Sequence, residues 1–214
     1  MSVLPESLAE SDRLFPTPEA ELQRNAKRVW ILNYVPPGDA GAEIGAARGH
    51  WSEVLLQHLK PQRAWFLDAW ALRAPVPRPG CVAGHVAHQE TMWRTERFTK
   101  TQCHYIEAEF PDGVDQIDEP LDWLYLDATH DFETAFAELQ VAEKLLKPKG
   151  ILFGDDWQPD PKSSRHGVFQ AVGRLIRQGK FELVACGPYG QWAVRRRGPW
   201  KLKPPEPTAF EETR

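Results

Sequence analysis

AEIGAARGHWSEVLLQHL (residues 42–59) runs from an apolar segment through a glycine-bracketed turn into a helix. Ala40–Gly45 reads as a short strand, and Trp51, Val54, Leu55 and Leu59 recur at the spacing of one helical face. Gly45 and Gly49 let the backbone turn tightly and approach a ligand. The first turn of the following helix offers N–H groups without intrahelical partners. The spacing is not G-x-G-x-x-G, so the dinucleotide fingerprint is absent. No Gly-Lys-Ser/Thr follows, which removes a phosphate loop as well.

Outward from this unit the same alternation repeats. AWFLD (64–68), a weaker run at His104–Ala108, LDWLYLD (121–127) and ILFGDDW (151–157) read as strands. HQETMWRTERFTK (88–100), FETAFAELQVAEKLL (132–146) and GVFQAVGRLIRQG (167–179) read as helices. Thr129 or Asp131 caps the second of these helices, and Pro148 with Gly150 stops it. PEAELQRNAKRVWILNYV (18–35) reads as an amphipathic helix ahead of the core, and the proline- and glycine-rich 71–84 as a loop. FELVACG and QWAVRRR form a closing hairpin around Pro188-Tyr189-Gly190. The fold class is therefore α/β: a doubly wound, mostly parallel seven-stranded sheet with helices on both faces and a C-terminal antiparallel hairpin. Three parts follow: a helical extension over 1–37, the main domain over 38–197 and a proline-rich, flexible tail over 198–214.

Composition removes several function classes. A chain of 214 residues can bury a substantial core. Its net charge of -4 argues against a nucleic-acid binder held by bulk electrostatics. The one dense basic cluster, RRR at 195–197, follows a strand-like run and reads as a solvated strand end. No apolar run reaches the length of a bilayer span. MSVLPESLAESDRLFP has acids and prolines where a signal peptide needs an apolar core. Cys81, Cys103 and Cys186 are widely spaced and form no CxxC, which suits a reducing cytoplasm.

Acids stand at four separate strand ends: Glu43, Asp68, Asp127 and the pair Asp155-Asp156. In such sheets ligands bind beyond the carboxyl ends of the strands, so these acids should converge on one edge. Three carboxylates gathered there, Asp127, Asp155 and Asp156, repel one another unless a cation balances them. A divalent ion with a hard oxygen preference, such as Mg²⁺, is the simple solution.

E-I-G-A-A-R-G resembles the first motif of class I S-adenosylmethionine-dependent methyltransferases, an acid-x-Gly-x-x-x-Gly turn. The resemblance implies that Gly45, Ala46 and Gly49 lie under the methionine part of S-adenosylmethionine and that Glu43 helps hold its ammonium group. It implies that Asp68, followed by Ala69, accepts hydrogen bonds from both ribose hydroxyls, for which a carboxylate has enough acceptor sites. Trp70 is either a wall of the adenosine pocket or a core residue. At the third strand the match is poorest: YIEAEF offers Glu107 and Glu109, and Glu107 is assigned to the adenine. The DATH segment at Asp127–His130, the LLKPKG helix end and GDDW look like the small-molecule branch that includes macrolide-sugar O-methyltransferases. There the corresponding acids ligate Mg²⁺, which here means Asp127, Asp155 and Asp156, with Asp127 also touching the cofactor. The resemblance covers about residues 38–195, so 38–197 is the methyltransferase domain.

The implied reaction is O-methylation of a small-molecule hydroxyl. The metal lowers the hydroxyl pKa and orients its oxygen, and Asp127 or His130 takes the proton. His130 reads equally as a helix cap, and Asp155-Asp156 as a metal-free polar turn. Loop residues Lys162, Arg165 and His166, with His85, His88, Trp93 and Arg94 on the other side, are placed to choose the acceptor. The expected partner is a small-molecule acceptor, with no nucleic acid and no membrane; a homo-oligomer is left open. The alternatives are a metal-independent methyltransferase, a non-catalytic cofactor-binding module and, more distantly, a Rossmann oxidoreductase.

Overall fold

The computed structural model describes residues 5–70, 82–187 and 189–197. The elements run α1 (Leu8–Leu14), α2 (Glu19–Arg28), a 3₁₀ segment (Val29–Tyr34), β1 (Ala40–Ile44), α3 (His50–Leu59) and β2 (Arg63–Asp68). Then come α4 (Gly84–Thr95), β3 (Gln102–Glu107), β4 (Leu121–Leu126), α5 (Phe132–Leu145), β5 (Leu146–Gly154), α6 (His166–Arg177), β6 (Phe181–Cys186) and β7 (Trp192–Arg196). The seven strands form one sheet in the order β3-β2-β1-β4-β5-β7-β6. Pairs from β3 to β5 are parallel, and β7 is antiparallel to both β5 and β6. The strand order reverses between β1 and β4, which puts the ligand-binding crevice at their carboxyl ends.

Side chains alternate across this sheet, as a strand requires. On β4, Leu124 and Leu126 join a core with Phe136 and Leu139 of α5 and Val172 and Leu175 of α6. Trp123 and Tyr125 face the other way, into a core with Trp51, Leu55 and Leu59 of α3. Ile31, Leu32 and Val35 enter that second core, so the 3₁₀ segment is built into the sheet's packing rather than appended to it.

Several boundaries differ from the expectation. The helix expected over 18–35 stops at Arg28 and tightens to a 3₁₀ segment as Ile31 and Leu32 become buried. α1 was not anticipated, although Ser7-Leu-Ala-Glu10 carries a helix-start signature; the Ser7 hydroxyl accepts from the Glu10 N–H at 3.2 Å. α4 begins earlier than expected because it buries Glu90, Thr91, Arg94 and Thr95 and so has little apolar period to mark its ends. β5 also begins earlier, since Leu146 already pairs with Leu121. Asp131 is the cap of α5, accepting from the Thr134 N–H at 3.0 Å, while Thr129 donates to Glu138. The loop at 71–81, Pro188 and the tail from 198 lie outside the described residues.

Candidate active site

A cavity of about 500 Å³ opens at the carboxyl ends of β1, β2 and β4, a size suited to a small ligand. Glu43 through Arg48, Asp68, Ala69, Ala108, Phe110, Asp127, Ala128, His130 and Asp156 line it. So do Thr17, Pro18, Glu21, Arg24 and Arg28 from the N-terminal segment. That segment is tied down by buried charge. Arg48 Nη2 donates to the Phe15 carbonyl at 2.7 Å and pairs with the fully buried Glu90, which also accepts from Ser11. Arg94 pairs with Asp12 at 2.5 Å. His50, also on the rim, is pushed down to about 4 by burial, with Arg94 and Arg48 nearby, and is neutral at physiological pH.

The glycines of the first turn adopt the left-handed backbone expected of a tight turn. Gly45 has φ +91° and Gly49 φ +74°. A Cβ on Gly45 would lie 2.2 Å from the Asp127 carbonyl oxygen, and one on Gly49 would lie 2.7 Å from Thr91 Cα. Each glycine therefore permits close backbone approach within the protein, and this is what holds the turn at the cavity wall.

Asp68 fixes that turn from the side. Its Oδ2 accepts from the Ala47 N–H and its Oδ1 from the Trp70 N–H, both at 2.9 Å. Each oxygen keeps a further lone pair for a ligand. Glu43 is buried against the Ser52 hydroxyl, which donates to it. Burial pushes the Glu43 carboxyl up to about 8, against the Ser52 bond and Arg28, which pull it down. A buried acid held partly protonated at a cavity wall is a site that a cationic ligand group would ionise.

Two expected cofactor contacts fall elsewhere. Trp70 is buried, stacks on His88 at 4.1 Å between ring centroids and donates from Nε1 to the Ala47 carbonyl at 2.7 Å. It braces the turn and is not among the described lining residues. Glu107 is not among the described lining residues and has His88 Nδ1 at 3.5 Å; Ala108 and Phe110 line the cavity after β3. Glu107 is in register with Asp68 at the end of β3, but its carboxylate is engaged by His88.

At the ends of β4 and β5 the acids divide differently from the expected trio. Asp156 adopts φ +65°, and this left-handed turn parts the consecutive carboxylates. Asp155 turns to Arg28 Nε at 2.8 Å and Gln191 Nε2 at 3.1 Å and does not line the cavity among the described residues. Asp156 turns to His130 Nε2 at 2.6 Å and Arg165 Nε at 3.0 Å. Arg28 also donates through Nη2 to Asp127 at 2.6 Å. The ligand atoms that come within 4.8 Å of one another belong to Asp127, His130 and Asp156. Among the described residues this group includes His130 and leaves out Asp155 of the expected trio.

The charges are already matched inside the chain. Burial raises the Asp127 carboxyl above its usual range, with Arg28 pulling the other way. Burial would lift Asp156 too, but His130, Arg165 and Arg28 carry it below the usual range. The hydrogen bond to Asp156 raises the His130 imidazole. Arg28, missed in the sequence, is the central residue of this group. Its only sequence signal was spacing: Asn25 and Arg28 fall three apart on α2 and are its buried residues, whereas Leu22 is exposed.

The methyltransferase domain family matches residues 42–157, more than half of the chain. No curated protein matches the sequence. Among solved structures, an O-methyltransferase from Bacillus cereus in complex with SAH is 15% identical, with a TM-score of 0.57 over 92% of this chain and 93% of that one. The O-methyltransferase TomG from Streptomyces achromogenes, involved in tomaymycin synthesis and solved with SAM, is 16% identical, with a TM-score of 0.58 over 92% and 91%. The N-methyltransferase NodS from Bradyrhizobium japonicum WM9, solved with S-adenosyl-L-homocysteine, is 19% identical, with a TM-score of 0.56 over 91% and 95%. The fold spans O- and N-methyltransferases alike, so the acceptor atom has to be argued from the side chains. The match over residues 42–157, with acids at the ends of β1 and β2 on the cavity wall, shows that the chain belongs to the methyltransferase domain family, as a class I S-adenosylmethionine-dependent methyltransferase.

Proposed function

We propose that this methyltransferase transfers a methyl group to a hydroxyl of a small molecule, with His130 as the base and Asp156 holding it. The observation that carries the reading is the 2.6 Å contact of His130 Nε2 with Asp156 Oδ2 on the cavity rim beside Asp127. A hydroxyl must lose a proton as its oxygen is methylated, and an imidazole fixed by a carboxylate suits that task. In this reading Glu43 meets the ammonium of the donor, Asp68 its ribose hydroxyls, and Gly45, Ala46 and Ala69 the space between. The buried, cation-seeking Glu43 is what makes the cavity fit such a ligand. Bound there, the sulfonium supplies an electrophilic methyl: its carbon–sulfur bond breaks as the carbon–oxygen bond forms, and S-adenosylhomocysteine remains. Asp127 and Arg165 border the acceptor, and most of the acceleration comes from positioning. A cavity of about 500 Å³ shared with the donor suits a small acceptor.

A second reading is metal assistance, and one observation favours it: Asp127, His130 and Asp156 can each offer an atom to one ion. Mg²⁺ held there would polarise the acceptor oxygen. Asp155 is not part of that group of ligand atoms among the described residues, so the trio Asp127, Asp155 and Asp156 is the weaker candidate. Formation of S-adenosylhomocysteine with a panel of phenols, sugars and hydroxy acids, assayed with and without a chelator, tests both. Turnover that survives complete chelation and rises with pH as His130 loses its proton supports the base reading. Turnover lost on chelation and restored by Mg²⁺ replaces it with the metal reading. Donor binding without turnover on any acceptor would sink both.

A further inference from the structure

We propose that Arg28 is a built-in cation, occupying between Asp127 and Asp155 the position a divalent ion would fill. The N-terminal helix is thereby part of the transfer site. Two carboxylate oxygens from different strands, Asp127 Oδ2 and Asp155 Oδ2, converge on the single atom Arg28 Nη2 at 2.6 and 2.5 Å. Arg28 Nε adds a third bond to Asp155 at 2.8 Å. That is how two ligands share one ion, here drawn from a helix about a hundred residues away in sequence.

The surroundings keep the cation in place. Arg28 is 2% exposed, and its guanidinium carbon stands 5.9 Å from the Trp51 ring and 6.0 Å from the Tyr125 ring. Aromatic faces at that range favour a cation and exclude water. Unlike a dissociable ion, this charge arrives only when α2 is docked, and α2 follows the segment latched by Arg48, Glu90 and Asp12. The third acid, Asp156, takes no hydrogen bond from Arg28 and is matched by His130 and Arg165. Arg28 acts through Asp127 and is a positioning residue. Removing its guanidinium leaves two inward acids around a hole: a latent divalent site.

Calorimetric titration with Mn²⁺ of the intact protein, Arg28→Ala and Arg28→Ala/Asp155→Asn tests the inference without reference to turnover. The expected result is a Mn²⁺ site in Arg28→Ala tighter by about tenfold or more than any in the intact protein, and lost again in the double variant. Equal Mn²⁺ uptake by the intact protein and Arg28→Ala overturns the proposal. A site in the intact protein as tight as that in Arg28→Ala and unaffected by Asp155→Asn is the Asp127–His130–Asp156 site of the metal reading, and it too overturns the proposal. The turnover arm rests on Asp127 belonging to the transfer site. There Arg28→Ala should lose about 100-fold in turnover, bind S-adenosylhomocysteine within about threefold of the intact protein, and recover on addition of Mn²⁺. Undiminished turnover without metal overturns the proposal. Should Arg28→Ala not fold, Arg28→Lys and Arg28→Gln decide the matter. Lysine should keep most of the turnover and glutamine should not, and equal turnover in the two removes the charge role.

Discussion

The two ends of the cavity hold their carboxylates by opposite means. After β1 and β2, Glu43 and Asp68 are served by neighbours on their own strand–turn–helix unit: Ser52 for one, the Ala47 and Trp70 N–H groups for the other. After β4 and β5, Asp127, Asp155 and Asp156 depend on Arg28, His130 and Arg165, and Arg28 belongs to a helix that precedes the whole sheet. The first end is locally assembled and keeps a buried acid without a full countercharge. The second is assembled over long range and is neutralised before any ligand arrives. In the function proposed above, the cationic donor takes the first end and the acceptor that loses a proton takes the second.

The strongest way to break this contrast is Asp155→Ala. It leaves the buried Arg28 with one of its two carboxylate partners and Gln191 with the Tyr189 carbonyl alone. Breaking a buried pair from one side costs about 3–5 kcal/mol, which denaturant unfolding will show as a lower midpoint. Affinity for S-adenosylhomocysteine should stay within about threefold of the intact protein, since the donor end shares none of these bonds. A collapse of donor affinity on this substitution would mean that the two ends are one network.

Asp68→Ala is the converse test, somewhat smaller in energy. It removes two bonds to backbone N–H groups and the acceptors assigned to the ribose, and hydrogen bonds to a charged group are worth about 1.5–3 kcal/mol each. Calorimetry should show donor affinity falling by about 100-fold, or ~3 kcal/mol, where Asp155→Ala leaves it within about threefold, although both variants lose stability. Equal profiles for the two variants in a donor titration would dissolve the division between the ends.

The same contrast explains what could be read from the chain. The donor end was legible because its parts lie close in sequence and obey local rules: Gly45 and Gly49 mark a left-handed turn, and Asp68 follows one strand later. Even there the cause of the glycines, the Asp127 carbonyl and Thr91, is tertiary. At the acceptor end the need for a cation was legible, but its source was not. α2 docks through Asn25 and Arg28 while Leu22 stays exposed, which inverts the hydrophobic pattern used to find a buried face. The Asp155-Asp156 pair also misled. Consecutive residues leaving a strand point to opposite sides, and the left-handed turn at Asp156 leaves one acid on the cavity and the other behind it.

The smallest effect concerns protons and sharpens the contrast most. Burial holds the Glu43 carboxyl at about 8 before the donor binds. A cationic group beside it favours the ionised form, so donor binding should release a proton below that pH. Affinity then rises with pH by up to about tenfold per unit and levels off above about 8, as titrations at several pH values will show; Glu43→Gln should bind more weakly and lose that slope. Stability moves the other way. A carboxyl with a folded pKa above its unfolded value of 4.5 binds more protons when folded, so the free protein loses stability as pH rises from there to about 8. Asp127, also raised by burial, adds to that loss. Glu43→Gln should therefore flatten the stability profile only in part, leaving the acceptor end's share. A profile unchanged by the substitution would mean that Glu43 is already ionised in the empty cavity and that the donor end is as fully countercharged as its opposite.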